Sequence, residues 1–152
     1  MATVCERITA LREKMKENGI TVYVVPSTDC HESEYVCPHY RARAYMTGFT
    51  GSAGTAVITM DKAGLWTDGR YFLQAEDQLR GTGIHLFRMG EPGVPTVEEY
   101  VKAELCAGGC VGFDGKTMGA VSADKFREST MEKGGSIYTE KDLVGEIWPD
   151  RP

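Results

Sequence analysis

An α/β fold, with helices covering a largely parallel or mixed sheet, is predicted by three features of this 152-residue sequence. From about residue 64 onward, short apolar runs alternate with helical patterns. Such alternation marks crossover units whose helices lie on the faces of a sheet. Residues 53–60 and 64–67 are strand-like runs separated by Asp61-Lys62-Ala63, which reads as a hairpin with at least one antiparallel pair. Residues 3–17 carry Val4, Ile8, Leu11 and Met15 at steps of three and four, one face of an amphipathic helix.

Taken in order, the first helix is closed by Asn18-Gly19, residue types that end helices in the left-handed conformation. Residues 20–26 are short, apolar and β-branched, hence a buried strand, ended by Pro26 because proline lacks the next ladder donor. Residues 27–42 show no period and are expected to form an ordered loop with room for a turn of helix. After the hairpin, Asp68-Gly69 ends the second strand and residues 70–79 are helical, followed by a strand over 84–88 and turns over 90–95. Thr96 with Glu99 forms a capping-box signature for a helix reaching about residue 106. A short buried strand over 111–113, a helix from Ser122 closed by Gly134-Gly135, and a last strand over 136–139 complete the alternation. Residues 148–152, with two prolines beside Trp148, read as the start of a linker to a further domain.

The composition, 41% hydrophobic and 26% charged, is that of an ordinary soluble globule. A chain of this size buries roughly 68–70% of its extended surface, enough for one real core. The net charge of −5 is spread over both signs, with no Lys/Arg cluster of the kind a nucleic-acid or acidic-membrane surface needs. No apolar run approaches the roughly 18 residues of a membrane span. The N-terminus is charged and amphipathic, unlike a signal peptide. Five cysteines, an odd number without a signal, favour reduced thiols and a cytoplasmic location.

Four groups of residues bear on chemistry. Gly48, Gly51 and Gly54 step by three, lack a following lysine and precede a strand. They therefore read as a tight turn with close backbone approach and not as a phosphate cradle. Valine at Gly51 or Gly54 should destabilise the fold if either needs φ > 0. Asp29, His31 and Glu34 are residue types that ligate zinc or manganese, yet they crowd one short polar loop. The other reading has His31 and Glu34 hydrogen-bonded to backbone, to Arg41 or to Arg43. Cys106 and Cys110 are separated by three residues with no second ligand pair, so they read as thiols near a helix end. In Trp66-Thr67-Asp68-Gly69-Arg70-Tyr71, Asp68 stands where a strand gives way to a helix and suits a cap worth roughly 0.3–1 kcal/mol. Arg70 either pairs with Asp68 or presents its fork to a substrate carboxylate or carbonyl at the end of the sheet. The residues alone leave both readings open. No nucleophile elbow and no HExxH motif occurs.

Four stretches, in order and spacing, resemble the N-terminal domain of cytosolic-type aminopeptidases P, of the creatinase/prolidase metallopeptidase family. They are Val25-Pro26-Ser27 followed by Asp29, His31 and Ser33-Glu34-Tyr35; Arg43-Ala44-Tyr45 with Gly48-Phe49 and residues 51–56; residues 66–75; and Ile147-Trp148 with Asp150-Arg151-Pro152. The match covers most of the chain and is loosest over residues 90–135; Tyr45 and Thr47 stand where relatives often have Phe and Ser. The resemblance implies a three-layer α/β/α domain over residues 1–147, with a mixed sheet of about six strands related to the ribonuclease H-like motif. It also implies a longer parent chain, with a second domain of similar type and a C-terminal catalytic domain holding two divalent metal ions, usually manganese. None of those ligands lies in this sequence, so the resemblance implies no cofactor here and a catalytically silent fragment.

In such a parent, this domain borders the active-site mouth and restricts entry to short proline-containing peptides. Arg70 is the position tied to substrate access, while His31, Glu34, Arg43 and Asp68 take loop-support or interface roles. A homodimer is the implied assembly, to whose packing the domain contributes. Two rivals from other classes stand beside this one: a free-standing peptide- or subunit-binding module with the same fold, and a metal-dependent enzyme using Asp29, His31 and Glu34. Creatinases and prolidases share the domain type, so the parent's own reaction is carried over by analogy.

Overall fold

A computed structural model of the chain describes residues 3–26, 41–51, 54–105, 107–115 and 120–151. The first helix, α1 (Val4–Glu17), starts at Thr3, whose hydroxyl accepts the Glu6 N–H while the Glu6 carboxylate accepts the Thr3 N–H. This reciprocal cap satisfies two otherwise orphaned donors, and Lys14 and Lys16 in the last turn complement the negative end of the dipole. Six strands follow: β1 (Val22–Pro26), β2 (Thr55–Thr59), β3 (Ala63–Thr67), β4 (His85–Arg88), β5 (Cys110–Gly112) and β6 (Ser136–Tyr138). The remaining helices are α2 (Ala42–Thr47), α3 (Phe72–Gln78), α4 (Val97–Glu104), α5 (Ala120–Glu132) and α6 (Leu143–Glu146).

The strands form one mixed sheet in the order β4-β3-β2-β1-β5-β6. Only β2 runs against its neighbours; β3–β4, β1–β5 and β5–β6 pair in parallel. Alternation along each strand divides the core into two layers. Tyr23, Val25, Ala56, Ile58 and Leu65 face Ile8, Leu11, Met15, Met46, Leu79 and Leu143, contributed mainly by α1, α2 and α6. Val22, Val24, Val57, Trp66 and Val111 face the other way, against Val101 and Leu105 at α4 and Phe126 of α5. Each such buried side chain contributes roughly 1.5–3 kcal/mol, so both layers are needed for a stable domain. This is the three-layer mixed architecture expected from the sequence.

Two local features differ from the expectation. The helix expected over 70–79 opens as a 3-10 turn, Gly69–Tyr71, because Asp68 caps the Arg70 N–H and tightens the first turn. The helices α2 and α6 were not anticipated, since six and four residues are too few to show a period. Residues 147–151 lie against the domain. Trp148 stacks on Tyr45 with ring centroids 4.4 Å apart, Tyr45 donates from its hydroxyl to the Ile147 carbonyl, and Arg151 pairs with Asp142. Among the described residues no helix is long and apolar enough to cross a membrane.

Candidate functional site

The sheet register brings the chemistry-bearing segments to one edge. Pro26 lies opposite Thr55, Thr55 opposite Trp66, and Thr67 opposite Arg88. The carboxyl ends of β1, β3 and β4 and the start of β2 therefore stand side by side, and α/β sheets bind ligands at such ends. Residues 48–51, which follow α2, lie between α3 and the Arg43 side chain at this edge. The backbone leaves α2 through Gly48, whose φ of 78° is the left-handed conformation of a helix terminus.

That segment is fastened from both sides. Thr50 donates its N–H to Gln78 Oε1 at 2.9 Å, and its hydroxyl accepts from Gln74 Nε2 at 3.1 Å and Gln78 Nε2 at 3.0 Å, tying it to α3. From beneath, Arg43 donates through Nη2 to the Gly51 carbonyl. Arg43 is only 5% exposed, so its contacts are internal and it is not at a surface. Burial pushes its guanidinium down to about 10, with the nearby Tyr71 phenol opposing. Among the described residues its Nε and Nη1 find no acceptor, and the Phe49 ring lies 4.9 Å from its guanidinium carbon. A cation–aromatic contact offsets part of the desolvation cost of a buried guanidinium.

Gly51 and Gly54 are packed by these same side chains. A Cβ on Gly54 would lie 2.8 Å from Arg43 Nη1 and 2.9 Å from the Trp66 carbonyl, and one on Gly51 would overlap the rings of Phe49 and Tyr71. The Gly51 requirement is one of space, not of φ > 0. Side chains, Arg43, Phe49 and Tyr71 among them, fill the space that a Cβ would take at these glycines.

Asp68 and Arg70 form the exposed half of the edge. Asp68 Oδ1 accepts the Arg70 backbone N–H at 3.0 Å and Nε at 3.1 Å, and Oδ2 accepts Nη2 at 2.9 Å. This bidentate pair holds the Asp68 carboxyl below its ordinary value and raises the Arg70 guanidinium, each chiefly through the hydrogen bond to the other. The pair is solvated, with side chains 39% and 70% exposed, so it is a positioning contact more than a source of stability. Of the two roles open for Asp68, capping and pairing, both are realised. One turn further, Leu73 is 84% exposed, an unusual surface for a large apolar side chain. On the next strand Arg88 pairs with Glu76 of α3.

Phe49 and Tyr71 are the participants that residue-by-residue reasoning missed. Their rings meet edge to face with centroids 6.0 Å apart, and Arg70 lies 5.1 Å over Tyr71. They form a continuous path of rings between the buried guanidinium of Arg43 and the exposed one of Arg70. The signal was their position inside the Gly48-Phe49 and Arg70-Tyr71 pairs, where an aromatic follows a residue already singled out. The structure thus brings Arg43, Asp68 and Arg70 to one edge. His31, Glu34 and Asp29 lie outside the described residues, as does Cys106. Cys5 and Cys110 are free thiols. Among the described residues no three His, Cys, Asp or Glu side chains come together in a way that could hold a metal ion.

Comparison with known proteins gives the following. The family described as "Creatinase/Prolidase N-terminal domain" matches residues 7–137. "Aminopeptidase P2" of Arabidopsis thaliana is 46% identical over 151 residues, 97% of this chain and 21% of that protein. The "Probable Xaa-Pro aminopeptidase P" of Chaetomium globosum is 48% identical over 152 residues, 96% of this chain and 24% of that protein. Among solved structures, the X-prolyl aminopeptidase of Caenorhabditis elegans, described as a cytosolic enzyme with a di-nuclear active site, superposes with a TM-score of 0.92 at 32% identity. That superposition covers 100% of this chain and 26% of that one. The chain therefore spans under a quarter of the length of these two curated relatives.

Proposed function

Because the chain belongs to the creatinase/prolidase N-terminal domain family and corresponds to the N-terminal part of larger Xaa-Pro aminopeptidases, we propose that it is their non-catalytic accessory domain. In this reading it borders the entrance to an active site built by the rest of the polypeptide and restricts which peptides enter. The observation that carries the reading is the full-length superposition of this chain on one quarter of an X-prolyl aminopeptidase. The exposed pair of Arg70 and Leu73 at the carboxyl end of β3 supplies a surface suited to that role. Two divalent metal ions, manganese in this reading, belong to the part of the relatives that the chain does not span. When bound there they supply the polarisation and the activated water of peptide hydrolysis.

What this chain's own residues do is bind and exclude. Arg43 anchors the 48–51 backbone, the Thr50–Gln74–Gln78 bonds hold that segment to α3, and Asp68 sets the direction of Arg70. Arg70 then offers hydrogen-bond donors to a peptide passing the edge. The reading makes short proline-containing peptides the substrates, the downstream catalytic domain the partner in the same chain, a homodimer the assembly and the cytoplasm its location. The test is Arg70→Ala in the full-length protein. Turnover of an Xaa-Pro peptide should fall with metal content unchanged; unaltered kinetics would remove Arg70 from substrate handling.

A further inference from the structure

A guanidinium has five N–H donors arranged on two usable edges. On Arg70 the side edge is occupied: Nε donates to Asp68 Oδ1 at 3.1 Å and Nη2 to Oδ2 at 2.9 Å. The Tyr71 ring, 5.1 Å from the guanidinium carbon, limits swing on one face. What remains is the end edge, formed by Nη1 and the second Nη2 proton. Among the described residues Nη1 has no acceptor, and the side chain is 70% exposed. The end edge is therefore a planar donor pair presented outward at the carboxyl end of β3.

Asp68 changes what this edge selects. A ligand carboxylate on the end edge is attracted by the guanidinium and repelled by the Asp68 carboxylate behind it, so part of its Coulombic advantage cancels. A neutral carbonyl meets the edge through its dipole and a short-range hydrogen bond, so the more distant Asp68 charge takes less from it than from a carboxylate. The exposed Leu73, one turn along, adds an apolar neighbour that suits a peptide chain more than a small ion.

Resting on the reading of Arg70 as substrate-facing, we propose that Asp68 is a positioning and specificity-determining residue. It makes Arg70 a donor to an uncharged peptide carbonyl and not a reader of a terminal carboxylate. The substrate class is then a peptide chain that continues past the edge, with its C-terminal charge of little account.

The experiment uses the full-length protein with its own metals. It compares kcat/KM for an Xaa-Pro-Yaa peptide with a free C-terminal carboxylate and for the same peptide as its C-terminal amide. In the wild type the two values should lie within about threefold of each other, since the Asp68 carboxylate offsets part of the charge preference and solvent screens the rest. Asp68→Asn keeps the N-cap oxygen and removes the charge. It should shift the ratio toward the free acid by about threefold or more, from loss of one unit charge behind the guanidinium. Asp68→Ser, a second uncharged cap, repeats the measurement should the first variant fold poorly, and adding Arg70→Ala to either should abolish the shift. If Arg70→Ala lowers both values but the uncharged variants keep the wild-type ratio, Asp68 is a cap alone; the proposal is then wrong while the reading of Arg70 stands. If Arg70→Ala changes neither value, both fall.

Discussion

A single methyl group at Gly51 tests whether the glycine run is there for space. An ideal Cβ at this position would lie 2.9 Å from both Tyr71 Cδ1 and Phe49 Cε1, and nearer still to Phe49 Cζ. Phe49 is fully buried and lies against the Arg43 guanidinium, and the Gly51 carbonyl is held by that same guanidinium, so neither partner yields freely. Forcing one methyl into such a site costs about 1–3 kcal/mol. For a domain of this length that corresponds to a drop in Tm of about 2–12 °C. Gly69 supplies the control. Its φ is not positive, and an added Cβ would meet nothing closer than Phe72 Cε2 at 3.9 Å, ordinary contact. Gly69→Ala should therefore be neutral, or stabilising by about 0.4–1 kcal/mol through the unfolded chain. The assay is thermal unfolding of the two variants and the wild type, followed by near-ultraviolet circular dichroism. Equal melting temperatures for Gly51→Ala and Gly69→Ala would refute the close-packing account of this turn.

Two further outcomes concern the frame around the site. Tyr23, buried beneath α6, accepts the Leu143 N–H at its hydroxyl at 3.2 Å, and burial raises its phenol well above the ordinary 10.0. Its folded state keeps the neutral phenol, so the stability it contributes is complete below pH 10.0 and is lost as pH rises beyond it, where the unfolded chain ionises first. Tyr23→Phe should cost about 1 kcal/mol at neutral pH, by orphaning the Leu143 N–H, and should flatten the alkaline loss. Urea unfolding at neutral pH and above pH 10 reads both effects, and an alkaline limb identical to wild type would count against it. Trp148→Ala removes the stack on Tyr45 and should lower the unfolding free energy by about 2 kcal/mol, less than for a fully buried tryptophan because Trp148 is half-buried. A change under a few tenths would mean that residues 147–151 dock without stabilising the domain.

The long elements were legible because each writes its own period. Val4, Ile8, Leu11 and Met15 mark the buried stripe of α1, and the alternation of Val22 and Val24 against Tyr23 and Val25 turns out to serve two core layers. The short helices α2 and α6 carry no such stripe; they form because Gly48 and Asp142 provide termini and because the sheet beneath them needs covering. Thr3 and Glu6, three residues apart, did encode the α1 cap; that signal was present and unread. The candidate site was half legible. Asp68 and Arg70 stand out by residue type at a strand end, but whether the arginine turned inward or outward was undetermined in one dimension.

By itself the order of residues determined the local periods, the caps, the hairpin and the motif spacing that ties the chain to its family, because each depends on neighbours within a few positions along the backbone. Tertiary contact alone decided the strand order, with β5 beside β1 across some ninety residues, the burial of Arg43 against Phe49 and the docking of Trp148 on Tyr45. Those outcomes turn on which desolvation costs are offset by distant partners, and that balance exists only once the chain has closed on itself.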